Sequence, residues 1–263
     1  MKNMNTIEIP IPESFEVFKE MFHVKHFCSQ LSQWDIHLSD LQLEQFYLYY
    51  KELVQWNAVM NLTTIIELPD VLTKHFLDSL SIVLICSKSR LDEGLSVIDV
   101  GTGAGFPGIP IAIAFPKASI VLMDSLAKRV RFLETVTGRL GLKNCSSVHS
   151  RAEDLARNHE YREKFDIATA RAVADLKVLC EYDLPFVKTG GEFIAYKSGK
   201  IEEELAGAEH AIRVLGGKKE QVITFALPET DYSRTLLSIR KLHVTSQKYP
   251  RKAGLPSREP IQL

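Results

Sequence analysis

Apolar residues change their spacing along the chain. From Ser39 to Leu62 they recur at three- and four-residue intervals, at Leu41, Phe46, Leu48, Leu53, Trp56 and Met60, the period of an amphipathic helix. Ser39 or Asp40 is the expected N-cap, and a second helical stretch runs from about Leu68 to Ser87. Beyond residue 93 short continuous apolar runs take over: "LSVIDVG" (95–101), "ASIVLMD" (118–124), "CSSVHS" (145–150), "FDIATA" (165–170) and "GGEFIAYK" (190–197). Amphipathic stretches separate them. Strand, helix, strand, helix with unbroken apolar strands predicts a parallel sheet covered on both faces. After the last helix, "KEQVITFALP" and "RTLLSIRKLHV" follow one another with no helix between them, so they are expected to pair antiparallel. The reading is an α/β chain with a mostly parallel seven-stranded sheet, a late antiparallel hairpin and a helical N-terminal subdomain over residues 31–92. The sheet domain spans 93–245, and a basic tail spans 246–263.

Residues 1–30 read as a poorly ordered extension, because "IEIPIPESF" carries two prolines and no helical period. Within it, "MFHVKH" (21–26) spaces His23 and His26 three apart, with no carboxylate or cysteine at a ligand-like distance, so no metal is expected. That hexapeptide can be written ATG TTT CAC GTG AAA CAT, which is its own reverse complement and is similar to the bacterial centromere-like sites bound by chromosome-partition proteins. The expectation is a peptide shaped by its DNA and dispensable to the protein.

The net charge of −1 and pI near 6.7 neither announce nor exclude a nucleic-acid partner; basic surface would have to be local. Cys28, Cys86, Cys145 and Cys180 lie far apart without a C-x-x-C pair, which disfavours a zinc site or a disulfide framework. No apolar run is long enough to span a bilayer and no signal peptide opens the chain. The expectation is a soluble, cytoplasmic protein.

The chemistry concentrates in "VIDVGTGAGFPG" (97–108). Gly101, Gly103 and Gly105 let the chain turn from strand to helix and let a ligand approach main-chain amides. Gly103, Gly105 and Gly108 also satisfy G-x-G-x-x-G, so a dinucleotide-binding protein or oxidoreductase stands as the alternative. Asp124 ends the second strand, where a carboxylate can accept both ribose hydroxyls of either ligand. Pro107 and Pro110 remove amides from the following helix N-terminus, which favours a ligand without a pyrophosphate.

The order of elements is like that of the Rossmann-like class I methyltransferases. "WNAVMNLT", "KHFLDSL", "DVGTGAGFPGIPIAI", "SRAED", "ATARAVADL", "GGEFIAYKSG" and "YPRKAGLPSREPI" occur in that order. Together they resemble the bacterial small-subunit ribosomal RNA methyltransferase G family, also called glucose-inhibited division protein B. The resemblance runs from about Asp35 to Ile261. It implies transfer of methyl from S-adenosylmethionine to N7 of one guanine of 16S rRNA near the decoding site, with free 16S rRNA or a small-subunit precursor as partner. It also implies that Gly101 lies in the cofactor loop, that Phe106 sits beside the methionyl part or adenine, and that Ala152 and Glu153 fix the adenine. Arg171 would lie in the floor of the site.

Guanine N7 carries a lone pair and no proton, so its methylation needs alignment rather than a general base. The expectation is no acid–base residue, with positioning by Arg171 and Lys197. No Asn/Asp-Pro-Pro-aromatic motif and no Pro-Cys follows "FDIATA", which disfavours exocyclic-amine and pyrimidine-C5 chemistry. For RNA contact the candidates are Lys128, Arg129 and Arg131 after Asp124, Lys197, and Arg251 and Lys252 in the tail. Deleting the tail is expected to abolish methylation and spare cofactor binding.

Overall fold

The computed structural model describes residues 11–171, 174–199 and 201–262. Helices α1 (Phe15–Glu20), α2 (Phe22–Ser32) and α3 (Asp40–Met60) open it. In α3 the predicted cap is a full capping box: Ser39 Oγ accepts from Gln42 N–H at 3.3 Å and Gln42 Oε1 from Ser39 N–H at 2.9 Å. The second helical stretch is composite: α4 (Leu68–Asp70), a π-helical segment Val71–Leu77, α5 (Asp78–Leu80), a 3-10 turn and α6 (Lys88–Asp92). Then come β1 (Ser96–Val100), α7 (Gly108–Ala114), β2 (Ser119–Asp124), α8 (Ala127–Arg139), β3 (Cys145–His149) and α9 (Ala152–Leu155). The chain continues through β4 (Phe165–Arg171), α10 (Leu176–Asp183), β5 (Val187–Lys197), α11 (Glu202–Val214), β6 (Gly217–Ala226), β7 (Ser233–Lys241) and α12 (Leu255–Arg258).

The seven strands form one sheet in the order β3-β2-β1-β4-β5-β7-β6. The first five are parallel, and β7 runs antiparallel to both β5 and β6. The late hairpin is therefore present, with its second strand inserted inside its first. Strand order reverses between β1 and β4, which opens a crevice outside their carboxyl ends.

The expected loose extension is corrected from residue 15 onward; residues 1–10 lie outside the described residues. Phe18 and Leu31 are fully buried, and Val24 and Phe27 nearly so. The Phe27 ring meets Phe46 edge-on at 5.7 Å. The signal was present as Phe15, Phe18, Val24, Phe27 and Leu31, a helical stripe masked by the prolines just before it. "MFHVKH" is thus part of a packed helix, whatever its codons. His23 is exposed, while His26 Nδ1 lies 3.4 Å from Glu229 Oε2. We predict that Phe27→Ala costs about 3–5 kcal/mol in urea unfolding, whereas His23→Ala stays within about 0.5 kcal/mol of the parent. Equal stabilities would restore the loose extension.

The tail is corrected too. Tyr249 and Ile261 are buried in the core under the sheet face that carries α10 and α11. Arg157 Nη2 donates to Pro250 O at 2.6 Å, and Arg162 Nη1 donates to Tyr249 O at 2.9 Å.

Candidate active site

The carboxyl ends of β1, β2, β4 and β5 surround a cavity of about 910 Å³. One wall is the glycine loop. Gly101, Gly103 and Gly105 have φ of 71°, 62° and 98°, values that Cβ-bearing residues rarely adopt. Beneath the loop, buried Asp99 accepts from Thr102 Oγ1–H at 2.6 Å and from Gly108 N–H at 2.8 Å through Oδ2. Burial pushes the Asp99 carboxyl up to about 6, against these two donors. Above it, Asp124 Oδ2 accepts from Gly103 N–H at 3.0 Å and Oδ1 from Leu126 N–H at 2.9 Å. The loop is thereby pinned at both ends by carboxylates from β1 and β2.

The helix N-terminus after this loop has no free amides for a pyrophosphate. Gly108 N–H is bound to Asp99, Ile109 N–H donates to Gly105 O at 2.8 Å, and Pro110 has none. Ala152 and Glu153 line a second wall. Glu153 is 5% exposed and its Oε1 accepts from Gly254 N–H at 2.7 Å, so the tail closes this side.

The opposite wall is built from residues to which the sequence reading gave no role. The π-helical segment carries Lys74 and His75 to the cavity, and Asp78 follows one turn later; such segments concentrate at functional sites. Asp78 is buried between two guanidinium groups: Arg171 Nη1 donates to Oδ2 and Arg234 Nε to Oδ1, both at 3.0 Å. The Arg171 guanidinium also rests 4.9 Å from the Phe106 ring centroid, and the His75 ring stacks on the same Phe106 at 4.4 Å. Phe106 is thus largely enclosed by protein, with 6% of its surface exposed. "KHFLDSL" was legible as a motif; that it faces the site required the π-helical register.

His75 shares a 3.0 Å hydrogen bond through Nε2 with Thr63 Oγ1, while its Nδ1 is buried without a partner. Burial, and then the Arg171 guanidinium, push the imidazole down to about 3. The folded state therefore binds this proton less tightly than the unfolded chain, whose histidines titrate near 6.5. The stability this group contributes is complete above about 6.5 and is lost as pH falls toward 3, at about 1.4 kcal/mol per pH unit. We predict that His75→Gln flattens the fall in unfolding free energy between pH 6.5 and 5 by about 2 kcal/mol. An unchanged slope would show that His75 titrates normally.

The basic candidates separate. Lys128 and Arg131 are exposed on α8 and Lys252 is exposed in the tail, and none of them lines the cavity. Arg129 turns inward, with Nη1 3.3 Å from Asp124 Oδ2. Lys197 Nζ donates to Glu204 Oε1 at 2.6 Å and to Ala174 O at 3.0 Å, tying the end of β5 to α11 and to the segment after β4. Arg251, expected to contact RNA, is engaged inside the protein: its Nε and Nη2 make a fork on Glu181, which is fully buried, at 3.0 and 2.7 Å. A guanidinium so engaged clamps the tail. Among the described residues no helix is long and apolar enough to cross a membrane, and no three His, Cys, Asp or Glu side chains are grouped to hold a metal.

The family described as "GidB: rRNA small subunit methyltransferase G" matches residues 42–237. The "Ribosomal RNA small subunit methyltransferase G" of Lachnoclostridium phytofermentans is 51% identical over 235 residues, covering 89% of this chain and 96% of that protein. The protein of the same name from Acetivibrio thermocellus is 47% identical over 243 residues, covering 92% and 98%. Among solved structures, a branched-chain polyamine synthase mutein from Thermus thermophilus, in complex with N4-aminopropylspermidine and 5'-methylthioadenosine, superposes with a TM-score of 0.50. At 16% identity, over 64% of this chain and 56% of that one, it shows a shared fold alone.

Proposed function

The chain belongs to the rRNA small subunit methyltransferase G family, and on that footing we propose that it methylates N7 of one guanine in 16S rRNA, using S-adenosylmethionine, in the cytoplasm. The observation that carries the reading is that the motifs shared with the family line one cavity. Its volume of about 910 Å³ is at the large end of single-ligand pockets, enough for a nucleoside cofactor and a flipped base.

S-adenosylmethionine supplies an electrophilic methyl on its sulfonium. The residues of this chain bind and orient. We assign the Cβ-free backbone of Gly101 and Gly103, which line the cavity, to the methionyl side and Asp124 to the ribose, with Arg129 yielding its place on Oδ2; Gly105, hemmed in by Ile109 and Tyr49, serves the turn itself. Ala152 and Glu153 take the adenine, under the cover of Gly254. Phe106, held by His75 and Arg171, shapes the floor between cofactor and base. Arg171 and Lys197 act through position: each is fixed by a carboxylate, Asp78 and Glu204 respectively, which holds the ends of β4 and β5 in register. No group here has to take a proton, because N7 has none to give, and His75 is kept neutral by its surroundings. Lys128, Arg131 and Lys252 are left as exposed cations for phosphate contact outside the cavity. The dinucleotide alternative finds no free amides at the N-terminus of α7 to hold a pyrophosphate.

Nucleoside mass mapping of 16S rRNA from cells with and without the gene tests this. One 7-methylguanosine should vanish with the gene and return with it. An unchanged map would sink the assignment.

A further inference from the structure

We propose that Tyr232, flanked by Lys74 and Arg234, is a stacking platform for the RNA base next to the methylated guanine. The inference rests on the rRNA methyltransferase reading and deepens it. A guanine that enters the cavity must leave its stack, and its neighbour in the strand then needs a surface to lie on.

The turn joining β6 to β7 presents one at the mouth. It is closed by Leu227 N–H donating to Tyr232 O at 3.0 Å and by Tyr232 N–H donating to Thr230 Oγ1 at 3.1 Å. It is also braced from outside the sheet. Gln30 of α2 donates from Nε2 to Pro228 O at 2.5 Å, and Gln33 to Glu229 Oε1 at 2.8 Å. On this braced turn the Tyr232 side chain stays 41% exposed.

The surroundings say what would cover it. Lys74 Nζ lies 4.8 Å from the Tyr232 ring centroid. Arg234, two residues along β7, is oriented by Asp78. Both cations line the cavity that the target base enters, and Lys74, paired with Asp70 at 2.9 Å, keeps 23% of its side chain exposed. An aromatic ring beside an ammonium, with a guanidinium two residues along the strand at the same cavity, is the combination that holds single-stranded nucleic acid: the ring stacks a base of any identity and the cations meet its phosphates. An acidic or neutral partner peptide would use the charges but not a position continuous with the methyl-transfer cavity. The brace from α2 also gives the N-terminal helices a part in the reaction, since they hold the turn that holds the platform.

The test uses the whole 263-residue chain with unmethylated 16S rRNA, both free and in small-subunit precursor particles. Tyr232→Ala should raise KM for that RNA by roughly 10-fold or more, change kcat less, and leave Tm and the affinity for S-adenosylhomocysteine as they were. Tyr232→Phe should restore KM, because the ring and not the hydroxyl does the stacking. A Tyr232→Ala protein with the parent's KM overturns the platform, as does failure of Tyr232→Phe to restore it. A parent protein that neither binds nor methylates the RNA in either form sinks the functional reading itself. That result is distinct from a parent enzyme that methylates while Tyr232→Ala behaves like it.

Discussion

Gly103→Val should lose S-adenosylmethionine binding while remaining folded. An ideal Cβ at this position meets only Gly101 O, at 4.0 Å, so no packed neighbour has to move. The backbone there has φ of 62°, and a β-branched residue held in that region costs about 1–3 kcal/mol. That is less than the 5–15 kcal/mol by which domains of this kind are usually stable. A valine side chain would stand at the wall of the cavity, against which the cofactor is assigned to lie, and Gly103 N–H is the donor that ties the loop to Asp124. The strain is carried by the free and bound states alike and lowers stability; exclusion of the cofactor from the wall should remove about 3 kcal/mol of binding, a loss of about two orders of magnitude. In a thermal-shift assay S-adenosylhomocysteine at a hundred times its Kd should stabilise the parent by about 2.7 kcal/mol and the variant hardly at all. Gly105 makes the contrast. A Cβ there meets the Tyr49 hydroxyl at 2.8 Å, so Gly105→Val should fail in folding rather than in binding. Calorimetry giving Gly103→Val the parent's affinity would take the cofactor away from this loop.

Truncation after Thr245 should cost the fold and the cofactor together, contrary to the separation expected from the sequence. The lost segment carries buried Tyr249 and Ile261. It carries Arg251, whose removal strands the Glu181 carboxylate, fully buried, without its cation. Leaving such a charge uncompensated costs about 3–5 kcal/mol by itself. It also carries Gly254, whose N–H caps Glu153 at the adenine wall. Since the truncated chain is expected to lack a stable fold, point variants separate the contributions. Arg251→Ala alone should lose about 3–5 kcal/mol in urea unfolding. Arg251→Ala with Glu181→Ala should recover a substantial part, because the orphaned charge goes with its partner. Full stability in Arg251→Ala would return Arg251 to the RNA surface as a free cation.

The sheet was legible because its central strands β1, β2 and β4 are short, mostly apolar runs set off by amphipathic helices, a pattern local enough to be read without partners. The predicted bounds for β1, "LSVIDVG", and for α3 agree with the structure to within about two residues. The capping box at Ser39 is likewise a local signal between residues three apart. The glycine loop and Asp124 were legible for the same reason, since their φ requirements and their place at strand ends are properties of a few consecutive residues. What was not legible depended on contacts between distant segments. Phe18, Val24 and Phe27 read as an appendage until α3 and the π-helical segment gave their stripe a face to bury against.

Among the cations, composition could place positive charge near the site but not say what each charge touches. Arg251 looks like Lys252 in sequence. One folds onto a buried glutamate and the other points to solvent, because α10 brings Glu181 under the tail. Lys197 and Arg129 are drawn to Glu204 and Asp124 in the same way. The alternation of strands and helices, the turn geometry of the loop and the family to which the motifs belong were determined by the sequence by itself, since each is encoded in neighbouring residues. Which charges are paired, which helices brace the β6–β7 turn, and that Lys74, His75 and Asp78 face the same cavity as Asp124 were decided only by the tertiary structure. The physical reason is that burial and pairing are set by groups far apart in the chain that meet when it folds.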